Sequence, residues 1–353
     1  MQKKIALIGG TGQIGYAITN FFVQRNWEVY LLCRSKYSFN SFISLLETAS
    51  LAFISNIKPI YGTKEDMHAL ENIASIQPTL LVDLLSFTAK DAKLILSIQK
   101  HIGQYIVLSS SSVYKDNRGR TLDEASVTGF PDFPLPIKED TPTVQAGDTT
   151  YSTHKIAMEE YFLKHSNKPV TILRPCAIYG ICSHHPREWW FVKRVLDKRP
   201  YIPLKFKGES TFHTSSTQNI AKVIWACIGN KAHQIVNVAD QSILTVKEIG
   251  EFITNQLAYT AEFVTYPAIE SSDPFIGFSP WSVAAPFTLD TSYSEQLLHQ
   301  VGLKLSSYQE DSKAYIQWLS SFSAENWETH FPQLAAYPFK QFDYEKEDLV
   351  LSK

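Results

Sequence analysis

Lys4-Ile-Ala-Leu-Ile8-Gly9-Gly-Thr11-Gly12-Gln13-Ile14-Gly15, running on into Tyr16-Ala-Ile-Thr-Asn-Phe-Phe-Val23, decides how this chain folds. The first five residues are uniformly apolar, as expected for a parallel strand covered on both faces. The glycines follow at once, and the apolar residues then recur at helical spacing. Strand, glycine turn and helix in that order is the context that gives a Gly-x-x-Gly-x-x-Gly pattern meaning. Gly9 permits the tight turn, Gly12 lets a pyrophosphate approach the backbone, and Gly15 lets the helix pack close to the strand. The pyrophosphate then sits on the free N–H groups and positive dipole end of the helix.

The rhythm continues outward. Trp27-Glu-Val-Tyr-Leu-Leu-Cys33 reads as the second strand, Thr79 to Leu85 as another and Gln104 to Leu108 as a further one, with a helix over 90–102 between the last two. Alternating strands and helices imply an α/β Rossmann-type, doubly wound parallel sheet with right-handed crossovers. Ligands of such sheets collect at the carboxyl ends of the strands. An NAD-specific site usually ends its second strand on a carboxylate that binds the ribose 2′-hydroxyl. Here that place holds Cys33, followed by Arg34-Ser35-Lys36. A guanidinium pairs with a 2′-phosphate where a carboxylate repels it, so NADP(H) is the expected cofactor and NAD(H) the alternative.

Downstream lies Tyr151-Ser-Thr-His-Lys155. Residues four apart share a helix face, so both side chains point into one cleft. A free tyrosine, with a pKa near 10, is a poor base at neutral pH. A neighbouring ammonium and the positive nicotinamide of an oxidised cofactor favour the phenolate. Tyr151 then exchanges a proton with a substrate oxygen while hydride moves, and Lys155 also reaches the nicotinamide ribose. Ser109-Ser-Ser111-Ser112-Val-Tyr114, at a strand end, supplies the hydroxyl that orients that oxygen.

These residues resemble the extended short-chain dehydrogenase/reductase family, also called the NAD-dependent epimerase/dehydratase family. The likeness includes the glycine loop, Ser109 to Tyr114, Tyr151-x-x-x-Lys155 and Leu173-Arg-Pro-Cys-Ala-Ile-Tyr-Gly180. The resemblance implies Ser110 as the catalytic serine, four residues before Tyr114, with Ser111 as the fallback and a candidate substrate contact. It also implies Pro175 beside the nicotinamide. The expected cofactor set is Gly9, Thr11, Gly12, Gln13, Ile14, Gly15, Arg34, Leu85, Lys155 and Pro175, and the catalytic set is Ser110, Tyr151 and Lys155. The same resemblance implies a homodimer through helices near 90–102 and 152–165. The domain expectation is a dinucleotide-binding unit over 1–180 and a smaller substrate lobe over 181–353, with part of 215–245 returning to the first unit.

Departures from the pattern narrow the substrate. Members acting on sugar nucleotides carry Asn near Ala177 and Arg near Phe212, and this chain has neither. Two natural diphosphate ligands are therefore missing. Gly62-Thr63-Lys64 also alters the adenine-side motif. In the substrate lobe Arg187 is expected to grip an anion, with Trp189 and Trp190 as a pocket floor. The long segment 115–150, rich in proline, reads either as a lid or as an ordered surface excursion.

Composition sets the outer limits. The 353 residues suffice for a full α/β core and a second lobe. A formal net charge of −2 leaves no electrostatic footprint for nucleic acid. The four cysteines lack ligand spacing, and His184-His185 has no acidic or thiol partner nearby, so no metal is expected. No apolar run reaches membrane-spanning length and no cleavable signal opens the chain, which points to the cytoplasm. The leading expectation is an NADP(H)-dependent oxidoreductase interconverting a carbonyl and an alcohol of a small molecule. The alternatives are an epimerase or dehydratase of a nucleotide sugar, which uses the same hydride transiently, and a non-catalytic dinucleotide-sensing or RNA-binding protein on the same fold, as in the chloroplast stem-loop-binding proteins.

Overall fold

The structure is a computed structural model describing residues 3–48, 53–265 and 273–351. In chain order its strands are β1 (Lys4–Ile8), β2 (Glu28–Cys33), β3 (Ile57–Tyr61), β4 (Leu80–Asp83), β5 (Tyr105–Leu108), β6 (Val170–Pro175), β7 (Ala177–Tyr179), β8 (Tyr201–Leu204), β9 (Thr214–Ser216), β10 (Gln234–Val238) and β11 (Glu262–Thr265). Helices α1 (Gln13–Val23), α2 (Lys36–Thr48), α3 (Met67–Ile76) and α4 (Ala89–Leu96) alternate with the first strands. They are followed by a short α5 (Ala125–Thr128), α6 (Tyr151–His165), α7 (Trp189–Leu196), α8 (Thr217–Ala226) and α9 (Val246–Gln256). The C-terminal part holds α10 (Ser292–Gln300), α11 (Tyr308–Asp311), α12 (Lys313–Ser320), α13 (Trp327–His330), α14 (Pro332–Ala335) and α15 (Tyr344–Leu351).

Seven strands form one sheet in the order β10-β6-β5-β4-β1-β2-β3, and every pairing in it is parallel. The Rossmann-type reading of the sequence holds. Successive side chains of a strand point to opposite faces, and here both faces are covered. Ile5, Leu7, Val29, Leu31, Val82 and Ile106 pack under α1, α2 and α8. Ala6, Ile8, Leu81, Tyr105, Val107 and Ile172 pack under α3, α4 and α6. That two-sided burial is why these strands read as unbroken apolar runs rather than as alternating ones. Phe22, Trp27 and Trp225 lock α1 to α8 through edge-to-face contacts, with ring centroids 5.2–5.9 Å apart. Each such pair adds about 0.5–1.5 kcal/mol beyond its buried area.

The order reverses between β1 and β4, which opens a crevice at their carboxyl ends. The second lobe has its own core, built on Trp189, Trp190, Phe191, Ile249, Tyr308 and Ile316. Two small parallel sheets, β7 with β9 and β8 with β11, flank it. β10 and α8 belong to the large sheet and its covering layer.

Segment 115–150 is an ordered excursion. Asp116 accepts from the N–H groups of Arg118, Arg120 and Asp132 at 2.9–3.0 Å and from Arg120 Nε at 2.7 Å. Ile137 exchanges backbone hydrogen bonds with Thr288 and Asp290 at 2.8 Å. Among the described residues no helix is long and apolar enough to cross a membrane, and no cluster of His, Cys, Asp or Glu has metal-binding geometry.

Candidate active site

The glycine loop follows β1. Gly9 takes a φ of +85°, a left-handed conformation that a side chain strains. A Cβ on Gly15 would stand 2.1 Å from the Gly10 carbonyl oxygen, so only glycine lets α1 lie this close to the turn. Gly12 is the extended N-cap of α1 and no side chain caps that end. A Cβ there would meet nothing nearer than Gly9 O at 3.9 Å. The helix thus presents an uncapped N-terminus to open space, which fits a dinucleotide pyrophosphate. Gln13 adds, at the pocket wall, a buried Oε1 without a hydrogen-bond partner among the described residues.

Other expected cofactor residues divide. Thr11 and Arg34 line one cleft with Ser35 and Ser38, a cavity of about 710 Å³. Arg34 is exposed and makes no hydrogen bond or ion pair among the described residues, while Cys33 is buried on the Ile60 carbonyl. Leu85 lies over Gly9, its Cγ 2.6 Å from where a Gly9 Cβ would be, and stays half exposed. Ile14 does not face the crevice: it is 7 % exposed and belongs to the core beneath α1. Lys64 donates to Leu85 O at 3.1 Å and pairs with Asp91 at 2.8 Å.

Ser110, Tyr151 and Lys155 meet in a separate pocket of about 400 Å³, which Gln13, Leu84 and Pro175 also line. Thr150 caps α6 through a reciprocal capping box with Thr153, which starts the helix at Tyr151 and aims its first turn at the serines. Asp123 strengthens that start by accepting from Ser152 N at 2.7 Å. The Ser110 hydroxyl is close enough to the Tyr151 phenol to favour its ionised form. Lys155 is buried, and its Nζ donates to Ser86 O at 2.9 Å and Leu108 O at 3.0 Å. It therefore staples the loop after β4 to the end of β5. Asp83 shapes that loop by accepting from the N–H groups of Leu85 and Ser86 at 3.0 and 2.9 Å.

The electrostatics correct one expectation. Burial pushes the Lys155 ammonium down to about 8, against the opposing pull of Asp83 and Glu159. Tyr151 is not drawn down by Lys155. Loss of solvent and, less strongly, the charge of Asp123 raise it, and the Ser110 hydroxyl opposes them. Two of the three N–H groups of the ammonium point to the Ser86 and Leu108 carbonyls rather than to the phenol.

The outer wall comes from Cys176 and Ile178, just before and within β7, and from His185, Arg187 and Gln333 of the second lobe. Arg187 thus faces the candidate catalytic groups. Trp189 and Trp190 do not floor the pocket. They are 0 % and 1 % exposed in the lobe core, where Trp189 packs on Phe331 at 5.0 Å and Trp190 lies beneath the Arg194 guanidinium. Ser111 also turns inward: it is buried, and Ser112 lines the pocket in its place. His185 stacks on Tyr337, with ring planes 7° apart, and His184 faces the large cleft. Sequence reasoning missed Asp83, Asp123 and Gln333. Asp83 leaves a trace, a lone carboxylate at the end of an apolar strand. Gln333 leaves none.

A buried ionic network supports the serine strand from below. Glu159 on α6 pairs with Arg174 on β6 at 2.6 Å and accepts from the Ser109 hydroxyl. The Arg174 guanidinium lies 5.0 Å over the Tyr114 ring, whose hydroxyl reaches Asn237 Oδ1 at 2.7 Å.

Residues 5–239 match the family described as NAD dependent epimerase/dehydratase. A plant relative, chloroplast stem-loop binding protein of 41 kDa b from Arabidopsis thaliana, is 26 % identical over 249 residues, covering 69 % of this chain and 60 % of that protein. Among solved structures, UDP-glucose 4-epimerase of Thermotoga maritima with UDP-glucose superimposes with a TM-score of 0.63 at 15 % identity, over 90 % of this chain and 99 % of the other. The Bordetella bronchiseptica enzyme WbmH in complex with NAD+ gives 0.66 at 14 % identity, over 91 % and 99 %. At those identities the solved structures testify to the fold. The glycine loop, the Tyr151–Lys155 pair on α6 and a family match across the whole β1–β10 sheet agree, and the chain belongs to the NAD dependent epimerase/dehydratase family of extended short-chain dehydrogenase/reductase enzymes.

Proposed function

We propose that the pocket at Ser110, Tyr151 and Lys155 interconverts a carbonyl and an alcohol on a small molecule by hydride transfer. The observation that carries this reading is the convergence of Ser110, Tyr151 and Lys155 on one pocket, beside a glycine loop that leaves the N-terminus of α1 without a side-chain cap. The dinucleotide supplies or accepts the hydride; the chain does the rest. Ser110 and Tyr151 hold the substrate oxygen, and in the reducing direction the Tyr151 hydroxyl gives it a proton. A phenol with a raised pKa is neutral at working pH, which suits it as that acid. Lys155 fixes the walls at Ser86 and Leu108, so the pocket is set before the substrate arrives. The test is NADPH and NADH consumption over a panel of aldehydes and ketones. Tyr151→Phe should lower turnover at least about a hundredfold with cofactor affinity kept; a variant as fast as wild type removes Tyr151 from the chemistry.

For the cofactor we favour NADP(H). Arg34, exposed and with no side-chain partner among the described residues, offers its guanidinium to a 2′-phosphate beside Ser35 and Ser38. NAD(H), the dinucleotide of WbmH, is the alternative.

The family match supports a second reading, transient oxidation within an epimerase or dehydratase of a nucleotide sugar. It calls for a retained cofactor and no net redox turnover. Two positions speak against it. Ala177 is a buried methyl paired with Thr214, and Phe212 stacks on Phe287 at 5.1 Å, so neither offers a diphosphate ligand. The name of the plant relative motivates a nucleic-acid control in the same assays.

A further inference from the structure

The pocket that holds Tyr151 is lined by two cations, Lys155 and Arg187, and by no carboxylate. Their situations differ. Lys155 donates two of its three N–H groups to backbone carbonyls. Arg187 is partly buried, and its guanidinium has neither a hydrogen bond nor a salt bridge among the described residues. The adjacent Glu188 feels the Arg187 charge but forms no ion pair with it among the described residues: it is 1 % exposed and outside the pocket lining, with its Oε1 3.5 Å from the Tyr308 hydroxyl. Asp123, the acid nearest Tyr151, is engaged by the N–H of Ser152. A partly desolvated guanidinium without a partner is costly unless something completes it.

What completes it is small. The cavity measures about 400 Å³ and must take the nicotinamide ring as well. Gln333 stands on the same wall with an amide able to donate, and His185, kept neutral by burial, adds no charge. The positive field of Arg187 reaches the Cys176 thiol, which lies between it and the serines.

We propose that Arg187, assisted by Gln333, binds a compact oxyanion on the substrate, so that the enzyme acts on a small hydroxy or keto compound bearing a carboxylate or a phosphate. This rests on the hydride-transfer reading above and adds the class of substrate. The anion sits on the second-lobe wall while the reacting carbon faces Tyr151 and Ser110.

The test titrates cofactor-loaded protein calorimetrically with malonate, with inorganic phosphate and with glycerol as a neutral control. Malonate or phosphate should bind and glycerol should not; whichever anion binds more tightly names the group. Arg187→Met should weaken that binding about ten- to a hundredfold, as loss of a charge-assisted pair does. Arg187→Lys should rescue phosphate better than malonate, because it keeps the charge and loses the planar fork. Binding of neither anion, or equal binding by wild type and Arg187→Met, overturns the inference. NADPH affinity measured on the same samples reports separately on the hydride reading: its absence sinks that reading whatever the anions do.

Discussion

Tyr151 and Lys155 were legible as a pair, but their electrostatic relation was not. Spacing of four puts them on one face, whereas the partners of the ammonium are carbonyls of Ser86 and Leu108, far apart in sequence. The site is therefore better poised to give a proton than to take one. In the reducing direction the rate should fall as pH rises through about 8, where Lys155 loses its proton and the wall it staples loosens. A kcat profile flat from pH 7 to 9 in roughly neutral-substrate assays would contradict this. Arg34 is the other residue whose type alone makes a prediction. Arg34→Ala should weaken NADPH about ten- to a hundredfold and leave NADH nearly untouched; equal losses would remove the 2′-phosphate role. The tryptophans show the opposite case. An aromatic pair at helical spacing signals burial equally well against a core or a ligand, and Trp189 and Trp190 went to the core.

At the scale of elements, the β1–loop–α1 unit was readable end to end because each glycine has a local steric task. Gly15 is the clearest, with its contact to Gly10. α6 is different. Its start is encoded by Thr150 and Thr153, but its orientation is fixed by Glu159 gripping Arg174 on β6, a contact between elements that no local pattern announces. Breaking that pair should be costly, since Arg174 would remain buried without its partner. Glu159→Leu should destabilise by about 3–5 kcal/mol, and Glu159→Leu with Arg174→Met by clearly less. Chemical denaturation of the two variants checks it; a double variant worse than the single one would show that the network is worth more than its desolvation.

The whole molecule joins two cores through segments distant in sequence. Arg194 on α7 donates to Gln341 O at 3.0 Å and pairs with Glu347 on α15, which holds the C-terminal segment in place. That segment in turn brings Gln333 to the pocket, a placement only tertiary packing could reveal. Glu188, sealed under the second lobe beside Tyr308 and Tyr315, makes stability depend on pH. Burial raises its carboxyl from the usual 4.5 to about 7. The folded state thus holds a proton that the unfolded chain releases. Its contribution is full below the unfolded value and is lost as pH rises through the folded one. Glu188→Gln should therefore gain stability over wild type between pH 5 and pH 8, by on the order of 3 kcal/mol. Melting curves at the two pH values decide; parallel shifts would show that Glu188 is ionised in the fold.

The central claim is a dinucleotide on the glycine loop beside Tyr151. It is tested most directly by titrating the purified protein, after checking for cofactor carried through purification, with NADPH and NADH and following the reduced nicotinamide fluorescence. Saturable one-to-one binding, tighter for NADPH and abolished by blocking the loop with Gly12→Glu, is the predicted result. Purified protein that carries no dinucleotide and binds neither would contradict the account at its root.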